Sequence, residues 1–255
     1  MTVGCVVLGS SFSDFELEKI DKITKETPYG MGIAYSYQGT SSFIQFRHGL
    51  PHQLLPTQIN WRAQAWMWKI LGVDTLLLTS SVGVLDEAIP LYEPLLGLDL
   101  LMPFNQLPDG SVCTMFTKPS SQHGHLLLQD GLFHTQLRSI LSRRWSDATV
   151  PEVIFGYVPG PRTKTKVENR FWRLAGAQVN SMSIGPEVVL ANELEIPTAG
   201  LFIGHKYSLE KEISEHTHFS IEESLVRSKK ESFRCILDFL HNPPNVSFSN
   251  HLYRF

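Results

Sequence analysis

Cysteine is scarce: the 255 residues hold three, Cys5, Cys113 and Cys235. They are far apart and odd in number, so neither a disulfide framework nor a zinc-ligand spacing follows, and a reducing, cytoplasmic setting is expected. An excess of either charge is missing too. The 22 Lys and Arg against 25 Asp and Glu leave a formal charge of −3, which gives no electrostatic footprint for nucleic acid or for an anionic membrane surface. No apolar run approaches the ~20 residues that cross a bilayer. The segment from Met1 to Gly9 lacks the basic start and the apolar length of a secretory signal. Internal repeats and low-complexity tracts are absent as well. What remains is 42% hydrophobic and 18% charged, ordinary for a folded chain and wrong for a disordered one. A chain of this length with no linker suits one domain, expected over 1–241, with 242–255 as an irregular surface tail after Pro243-Pro244.

Short β-branched runs alternate with helical periodicity. Val3 to Leu8 reads as a buried strand ending at Gly9-Ser10-Ser11, and Ser42 to Arg47 as another. Pro56 and Thr57 open a predicted helix with Ile59, Ala63, Trp66 and Ile70 on its apolar stripe, stopped at Gly72. Val73 to Leu78 is a further strand leading into a loop, Thr79-Ser80-Ser81-Val82-Gly83. Glu152 to Val158, Val179 to Ser183 and Ala199 to Gly204 are extended. Helices are expected over Gly131–Arg144, Lys164–Leu174, Glu187–Leu194 and Ser220–Phe239. The segment from Asp86 to Gln129 has no clear period. This alternation predicts an α/β fold with functional loops at strand ends.

Six segments stand in an order and at a spacing that resemble the trimeric branch of the purine nucleoside phosphorylase and methylthioadenosine phosphorylase family. They are Gly9-Ser10; Thr27-Pro28-Tyr29-Gly30; Arg47-His48-Gly49 followed by His52, Pro56, Asn60, Ala63 and Trp66; Thr79 to Leu85; Gly160-Pro161-Arg162 followed by Glu168; and Met182-Ser183 followed by Pro186 to Ala191. The resemblance implies a single-domain nucleoside phosphorylase fold, a twisted, mixed, mostly parallel β-sheet flanked by helices. It implies a pentosyltransferase of purine metabolism in which inorganic phosphate, as co-substrate and with no other cofactor, displaces a base from C1′ of a nucleoside. It also implies a homotrimer. Such chemistry needs an anion cage and help for the leaving base rather than a protein nucleophile. No Ser/His/Asp or Cys/His arrangement is apparent to supply one.

Residue by residue, the resemblance places Ser10, Arg47, His48, Ser81 and Ser183 around phosphate. Arg47 would bring a bidentate fork, His48 an N–H, Ser81 a backbone amide, and Ser10 and Ser183 hydroxyls. Met182 would pack on the sugar. On this reading Arg47→Ala abolishes turnover and leaves the fold intact. The base pocket departs from the pattern. Lys206 and Ser208 stand where the family carries carboxylate or amide base readers, Lys164 stands where its 6-oxopurine enzymes carry a glutamate, and Thr163 replaces a stacking aromatic residue. An ammonium group only donates hydrogen bonds, so an adenine-specific pocket is disfavoured and an oxopurine or anionic aglycone favoured. Lys206 would stabilise the departing base, with His205 as a proton donor; the alternative for either lysine is to face solvent, the usual place for lysine. Ile221, near Phe219, takes the place of a hydroxyl-reading histidine, which favours a 5′-deoxy or 5′-methylthio sugar.

Other pairs are weaker candidates. His123 and His125, like His216 and His218, are two residues apart with no supporting carboxylate or cysteine, so no metal is expected. Trp61, Trp66 and Trp68 read as core or subunit-contact residues. Two other functions compete with phosphorolysis of a nucleoside: a nucleoside hydrolase or transferase reusing the site, and a non-catalytic phosphate- or nucleoside-binding homologue.

Overall fold

The computed structural model describes residues 1–12, 15–146, 149–209 and 221–254. In chain order its strands and helices are β1 (Gly4–Leu8), β2 (Ile20–Thr27), β3 (Gly30–Tyr37), β4 (Phe43–Phe46), α1 (Trp61–Ile70), β5 (Thr75–Val84), β6 (Pro94–Leu101), β7 (Gly124–Leu127), α2 (Thr135–Trp145), β8 (Glu152–Tyr157), α3 (Lys166–Leu174), β9 (Val179–Ser181), α4 (Gly185–Glu193), β10 (Thr198–Tyr207), α5 (Ile221–His241) and β11 (His251–Arg254). The main sheet runs β10-β6-β8-β9-β5-β1-β4-β3-β2, and β10 also pairs with β5. The strands β5, β10, β6, β8 and β9 therefore close on themselves, and β1, β4, β3 and β2 extend from β5 as a wing. The pairings are mixed: β1 lies parallel to β4 and β5, as β5 does to β10, whereas β2–β3 and β6–β10 are antiparallel.

Side-chain alternation along the central strands builds two cores. Cys5 and Val7 of β1, with Leu76 and Leu78 of β5, face a layer that includes α1 and α4; Val6, Leu8 and Leu77 face α2 and α5. Helix α1 shows how the local sequence sets an element. Asn60 accepts from the Ala63 amide at 3.1 Å and caps it, so the helix starts at Trp61 and not at Pro56, which belongs to a separate 3-10 turn. Its buried residues are Trp61, Ala63, Ala65, Met67 and Trp68, while Ile70 is exposed. The expected stripe was offset because α1 packs on β3 and on α4, two surfaces rather than one.

Three other expectations change. Thr79 to Gly83 is not a loop: β5 runs through it to Val84 because β10 pairs with it along its whole length. Residues 20–37 form a hairpin whose strands carry few apolar residues outward, and their sequence gave little strand signal. The tail is not irregular throughout. Strand β11 pairs antiparallel with β7, and Asn250 accepts from the amides of Gln129 and Asp130 at 2.8 and 2.9 Å and donates to Asn192 Oδ1 at 2.9 Å. Among the described residues no helix is long and apolar enough to cross a membrane, and no three His, Cys, Asp or Glu side chains converge to hold a metal ion.

Candidate active site

A cleft of about 450 Å³ opens over β5. On one edge of this strand β1 is a partner as far as Leu78, and β9 takes over only at Gly83. Residues 79–82 therefore have a strand neighbour on the β10 side alone. The Thr79 carbonyl points to the open edge, where Arg47 Nη1 donates to it at 2.8 Å. Backbone groups alternate along a strand, so the N–H of Ser81, two residues on, faces the same edge. The backbone amide expected of Ser81 is thus available, though from a strand and not from a loop.

The cleft gathers the sequence-predicted set. Ser10, Arg47, His48, Ser81 and Ser183 line it together with Met182, Thr163, Lys164, Ser208, His205 and Lys206. Phe219 lies outside the described residues, as do His216 and His218, and of Ile221 only its place at the start of α5 is described.

Arg47 is the deepest cation, with its side chain 1% exposed. Its Nε and Nη2 donate to the two carboxylate oxygens of Glu187 at 2.8 and 2.7 Å. The side-on edge of the guanidinium is occupied by this carboxylate. One N–H on Nη1 and one on Nη2 are left at the end of the guanidinium for an anion. Glu187 sits in the first turn of α4, where the helix N-terminus favours a negative charge. Gly9 lets the chain pass close by: a Cβ there would lie 3.2 Å from Arg47 Nη1 and from the Thr79 carbonyl oxygen.

His48 corrects a second expectation. Its Nδ1 lies 2.9 Å from the Leu54 carbonyl oxygen, which can only accept, so Nδ1 carries the proton. Burial and the neighbouring Arg47 charge push its pKa down to about 4. At neutral pH Nε2 therefore offers a lone pair, and His48 accepts where an N–H donor was expected. The ring stacks on His52 with centroids 4.7 Å apart. Because the folded pKa is depressed, the neutral imidazole contributes stability above pH 6.5 that is lost as pH falls toward 4. Allowing for the ring's contact with solvent, unfolding by urea at pH 7 and pH 5 should show the parent chain losing about 1–2 kcal/mol more than His48→Gln. Equal losses would contradict the assignment.

Ser183 Oγ is 3.1 Å from Ser80 Oγ, and Ser11 Oγ is 2.6 Å from Ser81 Oγ, so two pairs of hydroxyls meet along β5. The next residue, Ile184, has φ 72° and ψ −53°, and Gly185 N donates to Ser183 O at 2.9 Å. This is a positive-φ γ-turn on a β-branched residue, a conformation costing on the order of 1–3 kcal/mol. Its buried side chain holds it in place while the turn delivers Ser183 to the cleft at the head of α4.

The opposite end is cationic. A β-bulge at His205, between the Gly204–Val82 and Lys206–Gly83 pairs, turns β10 as it reaches the cleft. Burial, then the charges of Lys206 and Lys164, lowers the His205 pKa, which disfavours the imidazolium form that a proton donor would use. Burial, then Lys206, lowers the pKa of Lys164. Among the described residues no carboxylate lies within ion-pair reach of either lysine, and none lines the cleft. Glu168 is turned away: it grips Arg162 through both oxygens at 2.8 and 2.7 Å and caps α3 with Thr165, its carboxyl pushed down to about 2.

Sequence reasoning missed Glu187 as the partner of Arg47, since 140 residues separate the two. It also missed Ser80, Asn169, Asn180 and Lys166, which all line the cleft. Ser80 and Glu187 stood within quoted motifs and were open to suspicion. Asn169 and Asn180 carried no signal.

The fold is a closed mixed sheet with a polar cleft at the unpaired edge of a central strand. Comparison gives the family. The model of the phosphorylase superfamily matches residues 5–241, and the chain belongs to that superfamily. A probable 6-oxopurine nucleoside phosphorylase of Thermococcus kodakarensis is 30% identical over 224 residues, 84% of this chain and 82% of the relative. A probable S-methyl-5′-thioinosine phosphorylase of Methanopyrus kandleri is 34% identical over 219 residues, 82% and 80% of the two chains. Methylthioadenosine phosphorylase from Schistosoma mansoni in complex with tubercidin shares the fold with a TM-score of 0.78 at 23% identity, covering 94% of this chain and 90% of that one.

Proposed function

We propose that this chain is a nucleoside phosphorylase, a pentosyltransferase that splits a purine-type nucleoside with inorganic phosphate into free base and sugar 1-phosphate. The observation that carries the reading is Arg47, held rigid by Glu187 and Thr79 with two N–H groups left over, beside the Ser81 amide and the Ser10 and Ser183 hydroxyls. Preorganised donors of this kind stabilise an anion without reorganising during the reaction. The reading extends to a homotrimer and to a 5′-deoxy or 5′-methylthio sugar packed near Met182.

The tautomer of His48 gives the attacking species a fitting partner. Hydrogen phosphate carries one P–OH, and Nε2 of a neutral His48 accepts a hydrogen bond from it while Arg47 and the hydroxyls donate to the unprotonated oxygens. A phosphate oxygen then attacks C1′, the bond from C1′ to the ring nitrogen breaks, and its electron pair leaves with the base. Lys206 faces the charge that develops there. The proton brought in by hydrogen phosphate ends on the base, so sugar 1-phosphate dianion and neutral base balance the equation.

The test is release of base from methylthioadenosine, methylthioinosine, inosine, guanosine and 5′-deoxynucleosides, each with and without phosphate. Release that depends on phosphate is expected for at least one of them, together with sugar 1-phosphate. Equal release without phosphate would instead make the chain a hydrolase. Phosphate binding with no turnover of any nucleoside would make it a binding homologue.

A further inference from the structure

The base end of the cleft holds an acceptor that no motif marks. In register across the sheet, Asn180 of β9, Gly83 of β5 and Lys206 of β10 form one row. Neighbouring strands lie about 4.8 Å apart, so the outer two residues stand roughly 9–10 Å from each other with glycine between them. The glycine lets two polar atoms close in over the strand: a Cβ at Gly83 would lie 2.6 Å from Ser208 Oγ and 3.2 Å from Asn180 Oδ1. Asn180 is 1% exposed. Its Nδ2 donates to Asn169 Oδ1 at 3.2 Å, which fixes the direction of the carboxamide, and its Oδ1 is buried with no hydrogen-bond partner.

A buried carbonyl oxygen without a donor costs on the order of 1–3 kcal/mol, and in a ligand cleft its natural partner is an N–H of the ligand. The cations around it set the rest of the pattern. Lys206 stands at the far end of the row, and Lys164 lines the same cleft from the loop before α3. Both only donate, and among the described residues the lining holds no carboxylate to receive an amino group.

We infer that Asn180 is the residue that reads the base, and that with Lys164 and Lys206 it selects an imide edge, a ring N–H between two carbonyl oxygens. Asn180 Oδ1 takes the N–H and the two ammonium groups take the flanking oxygens. The same cations favour a base that is acidic, because negative charge on its ring meets Lys164 and Lys206. Two ring types offer this edge, a dioxopurine and a dioxopyrimidine. An aminopurine does not, since its amino group would meet an ammonium. The inference rests on the phosphorolysis reading above and adds to it the chemistry of the aglycone.

The experiment supplies phosphate and compares xanthosine and uridine (imide edges), inosine (N–H beside one carbonyl), 1-methylinosine (that N–H blocked), and adenosine and methylthioadenosine (amino edge). Xanthosine or uridine should exceed adenosine in kcat/KM by at least about 100-fold, a discrimination within reach of a site built to hydrogen-bond its substrate. Whichever of the two is used identifies the ring, and either supports the imide reading. Inosine should exceed 1-methylinosine by about 100-fold in the parent chain and by less than about 3-fold in Asn180→Leu, with phosphate KM unchanged. The parent ratio needs no variant, and Asn180→Ser provides a second one if the leucine chain fails to fold. A preference for adenosine or methylthioadenosine, or equal turnover of inosine and 1-methylinosine, would overturn the inference and leave the phosphorylase reading standing. If no nucleoside turns over with phosphate, the phosphorylase reading falls and takes this inference with it.

Discussion

Arg47→Ala is expected to lower kcat/KM for phosphorolysis by about 10²–10³-fold and, in the same protein, to destabilise the fold by about 3–5 kcal/mol. The first effect follows from losing the two N–H groups that the proposed reading turns toward phosphate. The second contradicts the expectation from sequence that the fold would be left intact. Glu187 is 1% exposed and uses both oxygens on Arg47, so removing the guanidinium strands an ionised carboxylate where water does not reach. Truncating one partner of such a pair is far more costly than replacing both. The double variant Arg47→Met with Glu187→Leu should therefore recover most of the lost stability, measured by urea unfolding, while staying inactive. A chain in which Arg47→Ala unfolds at the parent urea concentration would show that the pair does not hold this part of the molecule together.

The second large effect belongs to the other end of the cleft. Lys206→Ala is expected to lower kcat by about 10²-fold while phosphate KM and stability stay near the parent values. Lys206 is exposed and has no carboxylate partner among the described residues, so nothing structural is lost with it. Removing its charge should also let the depressed Lys164 pKa rise toward normal, because Lys206 is one of the causes of that depression. A substrate that needs no anion stabilisation separates this role from simple positioning. A 7-methylated purine nucleoside carries a positive charge on its base and releases it neutral. Its turnover should rise in Lys206→Ala, because a repulsive charge has gone, while turnover of an ordinary oxopurine nucleoside falls. If both fall together, Lys206 positions the base and does not take up its charge.

The two cleft ends differ in a way that explains how each is charged. Arg47 is compensated by Glu187, so its end of the cleft is a rigid array of donors with little excess charge of its own. Among the described residues, the cleft lysines Lys164, Lys166 and Lys206 have no ion-pair partner. On the proposed reading, phosphate arrives in a cleft whose positive field comes largely from the side where the base leaves. That arrangement suits a reaction in which negative charge moves from the attacking oxyanion to the departing ring.

The sequence by itself determined most of the elements and named most of the residues that line the Arg47 end of the cleft. Apolar runs such as Val3 to Leu8 and Ala199 to Gly204 form strands because they are buried on both faces, and the Arg47-His48 and Met182-Ser183 segments carried their neighbours' identities with them. What it could not determine depends on groups far apart in the chain. Whether Thr79 to Gly83 is loop or strand was decided by β10, more than 110 residues further on, which pairs along it. The protonated nitrogen of His48 was decided by the Leu54 carbonyl, and the free face of Arg47 by Glu187. Side-chain type limits what a residue can donate or accept. Only tertiary structure decides which of those bonds are already spent, and so which remain for a ligand; that is why Arg47 was legible as a cation but not as an end-on donor, and why Asn180 was not legible at all.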